Sequence, residues 1–319
     1  MKNKISVITP VFNRSDCILK CLDSVAKQII PENWELEHIV VDDGSFDNTK
    51  FLIEEYADSH PYVRTYHFEN NRGPNAARNH AISNAHGDWI IFIDSDDELV
   101  PNAIETIISR IKGNVQITHF LFEVNWSLSK REHLKQGHIL HFEDFFYEKI
   151  TGDFVHFFLR KHALDEPFLN DLRIHEGITF LNYYKTAKDI MYFKDVIAII
   201  DRNRNDCVTK ELNLTSDTAL INKIKAIDYK LEKFHEDYLK NEEGRKTLIG
   251  TLQSQFKLKV LQGNQKEARD IETKLKELTL TKDILFTTIN KLNLGKEIWF
   301  FAKILIKIKH RLKTIITKY

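Results

Sequence analysis

Residues 87–97 read GDWIIFIDSDD. The run from Trp89 to Ile93 is apolar throughout, a glycine stands before it, and a cluster of acids follows it at once. A short apolar run bounded in this way indicates a strand buried on both faces, as in parallel sheets covered by helices. The acids Asp94, Asp96 and Asp97 then stand beyond the carboxyl end of that strand, where open α/β sheets bind their ligands.

The alternation of short apolar runs and amphipathic stretches extends in both directions from this strand. Ile18, Leu22, Val25 and Ile29 recur at helical intervals, and Ser15 is the candidate cap of that helix. Alternating strands and helices predict an α/β fold with a mostly parallel sheet flanked by helices. Strands are predicted at 5–9, 36–41, 63–68, 89–93, 115–122 and 190–200, and helices include 76–85, 101–112 and 178–187.

Three polar clusters follow strands of the predicted sheet, namely Pro10–Asn13, Asp42–Ser45 and Asp94–Asp97. Because the carboxyl ends of parallel strands share one edge, a nucleotide at that edge would meet all three. Taken singly, each cluster is also what an ordinary turn uses. Carboxylates two residues apart, as in Asp94 and Asp96, can place one group on a hard divalent cation and the other on a ribose hydroxyl.

Two further positions carry chemistry suited to a nucleotide. Asp43 can accept hydrogen bonds from a base or a ribose, while Ser45 is predicted to cap the following helix. Arg78 lies early on the helix behind Gly73 and Pro74, where its planar guanidinium suits a base or a phosphate. An exposed surface arginine is the alternative interpretation of Arg78.

The overall composition excludes several classes of protein. The 319 residues are 42% apolar and 29% charged, which suits a chain that buries a core and rules out general disorder. Lys+Arg and Asp+Glu both number 46, so no net charge points to nucleic acid. Cys17, Cys21 and Cys207 lack zinc-site spacing and fit a reducing compartment. The sequence shows no signal peptide and no membrane-spanning run, so we expect a cytoplasmic protein.

Four linked motifs stand out in the first part of the chain, and they read SVITPVFN (6–13), VDDGSFD (41–47), GPNAARN (73–79) and GDWIIFIDSDD (87–97). Together they resemble the family-2 inverting glycosyltransferases of GT-A fold. Their order and spacing match across about residues 4–112, and the likeness is weaker over 153–209 and absent beyond about 211. The resemblance implies that the α/β fold is that of the nucleotide-diphospho-sugar transferases.

The resemblance also implies roles for individual residues around a UDP-sugar donor. Pro10 and Phe12 would frame the uracil, and Asp43 would bind that base. Asp94 would contact the ribose, and Asp96 would ligate the Mn²⁺ or Mg²⁺ that bridges the donor diphosphate. The implied donor-binding residues are Pro10, Phe12, Asn13, Asp43, Arg78, Asp94 and Ser95.

The general base is where the chain departs from the family pattern. The family often has Glu-Asp before a helix, whereas residues 172–180 read LRIHEGITF, with Gly177 in the place of the Asp. Glu176 is then the candidate base, with His175 and Asp171 as alternates. An acid favoured by a helix dipole is the other interpretation of Glu176. The departure leaves open a weakly active or inactive protein.

A basic segment, RNRNDCVT at 202–209, resembles the one that follows the last strand of the family's catalytic domain. Arg204 can close over the donor diphosphate, and a solvated basic turn is the alternative. These features place a GT-A catalytic domain at 1–210, with nucleotide-sugar binding in 1–124 and the acceptor side in 125–210.

The acceptor side is predicted to be irregular over residues 125–152. His133, His138 and His141 lack metal-ligand spacing there and are interpreted as surface or acceptor contacts. The aromatic pair Phe157 and Phe158 is interpreted as core.

Residues 211–319 are predicted to form an all-helical region, because long periodic stretches follow one another without proline. Its end, 296–319, carries seven basic residues against a single acid, a net charge of +6, interleaved with aromatic and aliphatic residues. A basic amphipathic helix of this kind is typical of membrane-surface binders. A helix packed back on the catalytic domain, with a solvated basic face, is the alternative.

Together these features predict an inverting, metal-dependent glycosyltransferase. Its donor would be a UDP-sugar, and its acceptor a glycan or lipid-linked acceptor of a bacterial-type surface glycan, at the inner face of the cell membrane. A nucleotide-sugar-binding subunit without turnover is the first alternative, motivated by Gly177. A nucleotidyltransferase is the second, although residues 10–14 are not the Gly-rich, Lys-containing loop that it requires.

Overall fold

The computed structural model describes residues 2–127, 131–172, 175–201, 216–278 and 284–303. The chain divides into two compact units, residues 1–202 and residues 203–319. The first unit contains a sheet with helices on its faces. The second unit is helical over its described residues, as the periodicity predicts.

The sheet of the first unit has nine strands within the described residues. These are β1 (Asn3–Val11), β2 (Trp34–Asp42), β3 (Val63–His67), β4 (Trp89–Phe92), β5 (Glu98–Leu99), β6 (His119–Val124), β7 (His138–His141), β8 (Val155–Leu159) and β9 (Asp189–Ile199). Their order is β3-β2-β1-β4-β8-β6-β9-β5, and β7 pairs with β9. The pairs β3–β2, β2–β1, β1–β4 and β6–β9 are parallel, whereas β8 runs antiparallel to β4 and β6.

Helices cover the sheet and make up the second unit. In the first unit they are α1 (Ile18–Ala26), α2 (Thr49–Ser59), α3 (Pro74–Asn84), α4 (Ala103–Ile111), α5 (Phe142–Phe146), α6 (Arg160–Asp165) and α7 (Glu176–Ala187). In the second they are α8 (Asp217–Lys233), α9 (His235–Leu239), α10 (Glu242–Gln262), α11 (Gln265–Leu278) and α12 (Ile284–Lys291), and residues 295–303 are also helical. Among the described residues, no helix is both long and apolar enough to cross a membrane.

The central strands are buried on both faces, which is why their sequences read as continuous apolar runs. On β1, Ile5 and Val7 pack into the cluster under one face, while Ile8 packs into the cluster under the other. On the neighbouring strand β4, Ile91 packs into the first of these clusters and Ile90 into the second. Each fully buried aliphatic side chain stabilises the fold by about 1.5–3 kcal/mol.

The register of the parallel strands brings the predicted clusters to one edge. Val11 at the end of β1 pairs with Asp42 at the end of β2, and Ile8 pairs with Phe92 at the end of β4. The chain therefore leaves all three strands on the same side of the sheet. The polar residues that follow these strands lie at that common edge.

Several local predictions are corrected by the structure. The strand predicted at 115–122 begins only at His119, and Val115 is 93% exposed. The region 125–152, predicted to be irregular, contains β7 and α5, because β7 pairs antiparallel with β9. Such short elements are specified by their partners in the sheet rather than by local periodicity, so the sequence carries little trace of them.

Candidate donor and metal site

The acidic loop after β4 presents its side chains alternately to solvent and to the interior. Asp94 and Asp96 have side chains 52% and 22% exposed, whereas Ser95 and Asp97 are buried. The Sγ atoms of Cys17 and Cys21 lie 3.7 and 3.5 Å from the carbonyl oxygens of Ser95 and Asp94. The start of α1 therefore packs against the backbone of this loop. Asp94 and Asp96 are thus the two carboxylates that a ligand at this edge can reach.

Arg78 joins this loop to the start of α7. Its Nη2 donates to Oδ1 of Asp94 at 2.9 Å, and its Nη1 donates to Oε1 of Glu176 at 2.7 Å. The guanidinium is buried, and Asn75 accepts a further hydrogen bond from it at 3.2 Å. The alternative of an exposed surface arginine is therefore wrong.

The charge of Arg78 is secured by its partners. Burial by itself would lower the pKa of the guanidinium, but Glu176 and Asp94 outweigh burial and raise that pKa further above its ordinary value. A buried cation between two carboxylates is the arrangement that offsets the cost of desolvation. Arg78 holds both carboxylates in fixed positions.

The candidate base lies on the first turn of α7. Glu176 begins the helix and its side chain is 34% exposed, and a Cβ placed on Gly177 would meet no other atom within 4 Å. His175 precedes the helix as its N-cap residue, and Asp171 is exposed. The Oε1 atom of Glu176 is taken by Arg78, and among the described residues no hydrogen bond to Oε2 is found.

Asp43 organises the loop that leads into α3. Its buried carboxylate accepts the backbone N–H of Arg72 at 2.6 Å and of Gly73 at 2.8 Å. The next residue, Gly44, has φ +76°, and a Cβ there would lie 2.7 Å from the backbone of Asn70. The ends of β2 and of the loop before α3 are therefore held together by one carboxylate and one glycine.

Ser45 is not the cap of the following helix. Its Oγ accepts the backbone N–H of Asn13 at 2.8 Å, and α2 begins only at Thr49, whose N–H is bound by Asp47. The predicted cap at Ser15 is also wrong, because the N-cap residue of α1 is Cys17. In both loops, contact with the neighbouring loop takes precedence over local capping.

The end of β1 holds the remaining predicted donor residues. Pro10 lies within β1, and Phe12 is half-buried with its ring against that of Phe46, with centroids 5.9 Å apart. Asn13 has φ +50°, a conformation that asparagine tolerates, and its Oδ1 accepts the N–H of Phe46 at 3.0 Å. These residues share the edge with Asp43 and the acidic loop.

Sequence reasoning gave no role to Arg14, and it named Asp97 only as a member of the acidic cluster. The Nε atom of Arg14 lies 3.8 Å from Oδ2 of Asp96, which brings a cation to the predicted metal ligand. Burial, reinforced by Asp94 and Asp96, raises the pKa of Asp97 to about 8, and its Oδ1 accepts the N–H of Asp201 at 3.1 Å. Arg14 directly follows the cluster Pro10–Asn13, and Asp97 is the last residue of the cluster Asp94–Asp97. Their position next to predicted site residues was the sequence signal that could have found them.

A divalent cation would find a partial ligand set here. Among the described residues no group of three or more His, Cys, Asp or Glu side chains could hold a metal ion. Asp96, with Asp94 nearby, instead offers hard oxygen ligands on side chains that are partly exposed. That donor set fits Mg²⁺ or Mn²⁺, which bind through one or two carboxylates and complete their shell with substrate phosphates.

The remaining predictions fall on the acceptor side and on the chain beyond it. His133, His138 and His141 are exposed, while Phe157 and Phe158 are fully buried, as predicted for core residues. Arg204 lies outside the described residues, and the segment 296–319 is described only as far as residue 303.

Comparison with known proteins identifies the family. The sequence profile of glycosyl transferase family 2 matches residues 6–166, which include most of β1 and all of β2 to β8. The chain belongs to this family of glycosyltransferases. The resemblance that the four motifs carry is thereby confirmed.

Curated relatives extend the match. The chain is 29% identical over 214 residues to a GalNAc(5)-diNAcBac-PP-undecaprenol beta-1,3-glucosyltransferase of Campylobacter jejuni, covering 65% of this chain and 67% of that protein. It is 37% identical over 121 residues to a UDP-Glc:alpha-D-GlcNAc-diphosphoundecaprenol beta-1,3-glucosyltransferase of Escherichia coli, covering 38% and 46%. The second match thus spans less than half of the relative.

Solved structures confirm the GT-A fold. Residues 1–349 of TarS from S. aureus match with a TM-score of 0.58 and 20% identity, covering 81% of each chain. The mannosyltransferase PcManGT from Pyrobaculum calidifontis, in complex with GDP-Man and Mn²⁺, matches with a TM-score of 0.56 and 16% identity, covering 96% of this chain and 87% of that one. The predicted α/β fold is confirmed.

Proposed function

We propose that the protein is an inverting glycosyltransferase that moves a hexose or an N-acetylhexosamine from a UDP-sugar to a hydroxyl of a growing surface glycan. The observation that carries the proposal is the ion-paired cluster in which Arg78 links Glu176 to the acidic loop. In this proposal Asp94 would lie beside the donor, and Glu176 would face the acceptor hydroxyl.

The donor side would use residues from all three strand ends. Pro10 and Phe12 would frame the base. Asp43 would accept a hydrogen bond from an N–H of the base, and Asp94 would accept one from a ribose hydroxyl. Asn13 and Ser95 shape the loops around the diphosphate. A UDP-sugar is proposed as the donor because one relative is named for UDP-Glc and the TarS structure has been solved in complex with UDP-GlcNAc.

Asp96 would hold Mg²⁺ or Mn²⁺ against the donor diphosphate. Such an ion stabilises, as a Lewis acid, the negative charge that builds up as the nucleoside diphosphate departs. Arg14, beside Asp96, and Arg204 add positive charge for the same phosphates. The bound manganese in the mannosyltransferase of like fold supports this assignment.

Glu176 would act as the general base. Arg78 fixes Oε1, so Oε2 is the atom that accepts the proton of the acceptor hydroxyl as its oxygen attacks the anomeric carbon. General-base catalysis of this kind contributes about 10²–10⁴-fold to the rate. A single displacement forms one glycosidic bond, breaks the bond to the diphosphate and inverts the anomeric centre.

The acceptor would be a lipid-linked or polymeric surface glycan, such as a capsule, a lipopolysaccharide or a teichoic acid. Relatives are named for undecaprenol-linked acceptors and for poly(ribitol-phosphate). Acceptors of this kind are embedded in or close to a membrane. The protein would therefore work at the inner face of the cell membrane as a peripheral protein, in contact with it through 296–319.

A screen of donors tests the proposal. Each UDP-, GDP- and dTDP-sugar is incubated with the protein and Mn²⁺ or EDTA, and the release of free nucleoside diphosphate is followed. One donor should be turned over with Mn²⁺, and turnover should vanish in EDTA and in Asp96→Ala. Glu176→Gln should lose acceptor-dependent transfer while it still binds UDP.

Matched variants separate these effects from general damage. Asp58→Asn and Glu132→Gln remove exposed carboxylates elsewhere in the first unit and should keep full turnover. Full transfer by Glu176→Gln would exclude Glu176 as the base. Gly177 favours the second candidate, a nucleotide-sugar-binding subunit without turnover. UDP binding with no turnover of any donor, even with lipid-linked acceptors present, would establish that candidate instead.

A further inference from the structure

The loop between β2 and α2 exposes a large aromatic ring among polar residues. Phe46 is 85% exposed, which makes it the most exposed phenylalanine of the residues that the structure describes. Its neighbours in the chain, Ser45, Asp47 and Asn48, are all polar. A protein partner uses an apolar patch of several hundred Å², which one ring does not supply. A single flat ring instead matches a small planar ligand.

The ring of Phe46 is carried by a fixed backbone. The N–H of Phe46 donates to Oδ1 of Asn13 at 3.0 Å, and the N–H of Ser45 donates to Oδ1 of Asp42 at 3.1 Å. The Oγ atom of Ser45 also accepts the N–H of Asn13 at 2.8 Å. The loops after β1 and β2 are thereby tied together. A residue presented on such a fixed backbone loses less freedom when it binds a ligand.

Phe46 lies next to the residues proposed to hold the base of the donor. Its ring meets that of Phe12 with centroids 5.9 Å apart and planes inclined by 79°. Asp43 stands three residues before it in the chain, and three residues span at most about 10 Å. The N–H of Asp43 donates to the carbonyl oxygen of Val11, directly before Phe12, at 2.8 Å. Phe12, Asp43 and Phe46 therefore share one small area at the ends of β1 and β2.

The edge-to-face contact leaves aromatic surface for a ligand. When the edge of one ring meets the face of another, the remaining faces of both rings stay available, and the exposure of Phe46 shows that its ring is open to solvent. Aromatic faces stack on nucleobases of every kind. A carboxylate such as that of Asp43 can bind an N–H at the edge of a base but offers no apolar contact to its plane. Edge and plane of a base would thus be served by different residues.

We propose that Phe46 stacks on the nucleobase of the donor and is a donor-binding residue alongside Phe12 and Asp43. The family resemblance of the four motifs implied no role for it. The inference rests on the proposed function, because it takes the donor to be a nucleoside-diphospho-sugar whose base lies at Asp43. Nucleotide binding needs no turnover, so the inference applies equally to an active transferase and to a nucleotide-sugar-binding subunit.

Calorimetric titration of the full chain with UDP in the presence of Mn²⁺ tests this inference. We expect Phe46→Ala to weaken UDP binding about tenfold, because the loss of one aromatic ring from a stacked base has an effect of this order. Phe46→Tyr should keep the affinity, since its ring stacks as well. Pyrophosphate, which has no base, should bind the wild type and Phe46→Ala equally.

A matched variant and a kinetic readout keep the result specific. Phe51→Ala removes another exposed phenylalanine, on α2, and should bind UDP like the wild type. Urea unfolding of Phe46→Ala should be unchanged, because its ring buries little apolar area in the folded chain. If a donor is turned over, Phe46→Ala should raise the KM for that donor about tenfold and leave kcat unchanged, as for a group that binds ground state and transition state alike.

Three results would overturn the inference, and they can be told apart. Unchanged UDP affinity in Phe46→Ala would remove Phe46 from the site while the donor assignment stands. An equal loss of affinity for UDP and for pyrophosphate would mean that the substitution disturbs the loop rather than a contact with the base. Wild-type protein that binds no nucleoside diphosphate at all would overturn the proposed donor class together with the role of Phe46.

Discussion

Arg78 is a buried cation whose partners come from distant parts of the chain. Asp94 is 16 residues away and Glu176 is 98 residues away, yet both lie within 3 Å of its guanidinium. A guanidinium can serve two carboxylates in different directions, whereas an ammonium is a single point of charge. The site therefore depends on arginine in particular at this position.

Replacing Arg78 by lysine should uncouple the two carboxylates. We expect Arg78→Lys to lower the rate of transfer by about 10²-fold, because Glu176 loses its fixed orientation and misplaced catalytic groups cost about that much. The release of nucleoside diphosphate at saturating donor measures the effect. Arg110→Lys, at an exposed pair with Asp195, is the matched control and should retain activity.

Gly177 is a position where a substitution should stabilise the protein. It is the second residue of α7, and the space around it is open, so Gly177→Asp should be accepted without a clash. We expect the free energy of unfolding to rise by about 0.5–1 kcal/mol, because the unfolded chain loses freedom and the acid meets the positive end of the helix. Urea unfolding of the two proteins measures this difference.

Gly44→Asp is the control for that substitution. Gly44 has a positive φ and lies against the backbone of Asn70, so the same change of residue should destabilise the protein there. If Gly177→Asp destabilises the protein to a similar extent, the start of α7 is more crowded than the structure describes.

At the scale of elements, one carboxylate joins β2 to the loop that leads into α3. Asp43 accepts two consecutive backbone N–H groups, and α3 begins directly after them at Pro74. The same helix carries Asn75 and Arg78, so its position sets the position of the guanidinium. The loop, the helix and the site form one connected unit.

Asp43→Ala should therefore loosen the loop as well as weaken nucleotide binding. We expect faster hydrogen exchange at the amides of Arg72 and Gly73, because both lose their acceptor, and a loss of about 1–3 kcal/mol of stability from buried donors left without partners. Exchange measured by NMR without any nucleotide separates this structural role from contact with a base. Unchanged exchange at the two amides would contradict it.

At the scale of the whole molecule, the first unit buries histidines that must stay neutral. Burial lowers the pKa of His38 to about 3, and burial, with His156 and His162 nearby, lowers the pKa of His119 well below its ordinary value. Both side chains are fully buried, and Nε2 of His38 lies 2.9 Å from Oγ1 of Thr9. In the unfolded chain each titrates near its ordinary value of about 6.5.

Acid should destabilise the protein through these histidines. Below pH ~6.5 the unfolded chain binds protons that the folded one excludes, so stability falls by about 1.4 kcal/mol per pH unit for each histidine. Urea unfolding between about pH 7.5 and 5 measures the slope. Asp97, whose pKa is raised to about 8 by burial, opposes it there, because the folded chain binds a proton that the unfolded chain does not. His119→Phe should reduce the slope by the share of one histidine, whereas His133→Gln, at an exposed position, should leave it unchanged.

The parts of the fold that could be predicted from the sequence are those with a local signal. Apolar runs in β1, β2 and β4 are local, so their periodicity and the turn residues after them sufficed to predict an α/β sheet with polar clusters at one edge. The helical character of the second unit was predicted for the same reason. Boundaries were less certain where a strand such as β7 exists only because β9 lies beside it.

The family, the main strands of the sheet and the edge at which Asp43, Asp94 and Asp96 gather could be predicted from sequence, because these depend on patterns within a few residues of one another. It took the folded chain to show that Arg78 is buried between Asp94 and Glu176, that Arg14 lies against Asp96 and that Ser45 binds a neighbouring loop rather than capping a helix. Such pairings join residues far apart in the chain, and the order of the strands, rather than any local preference, brings them together.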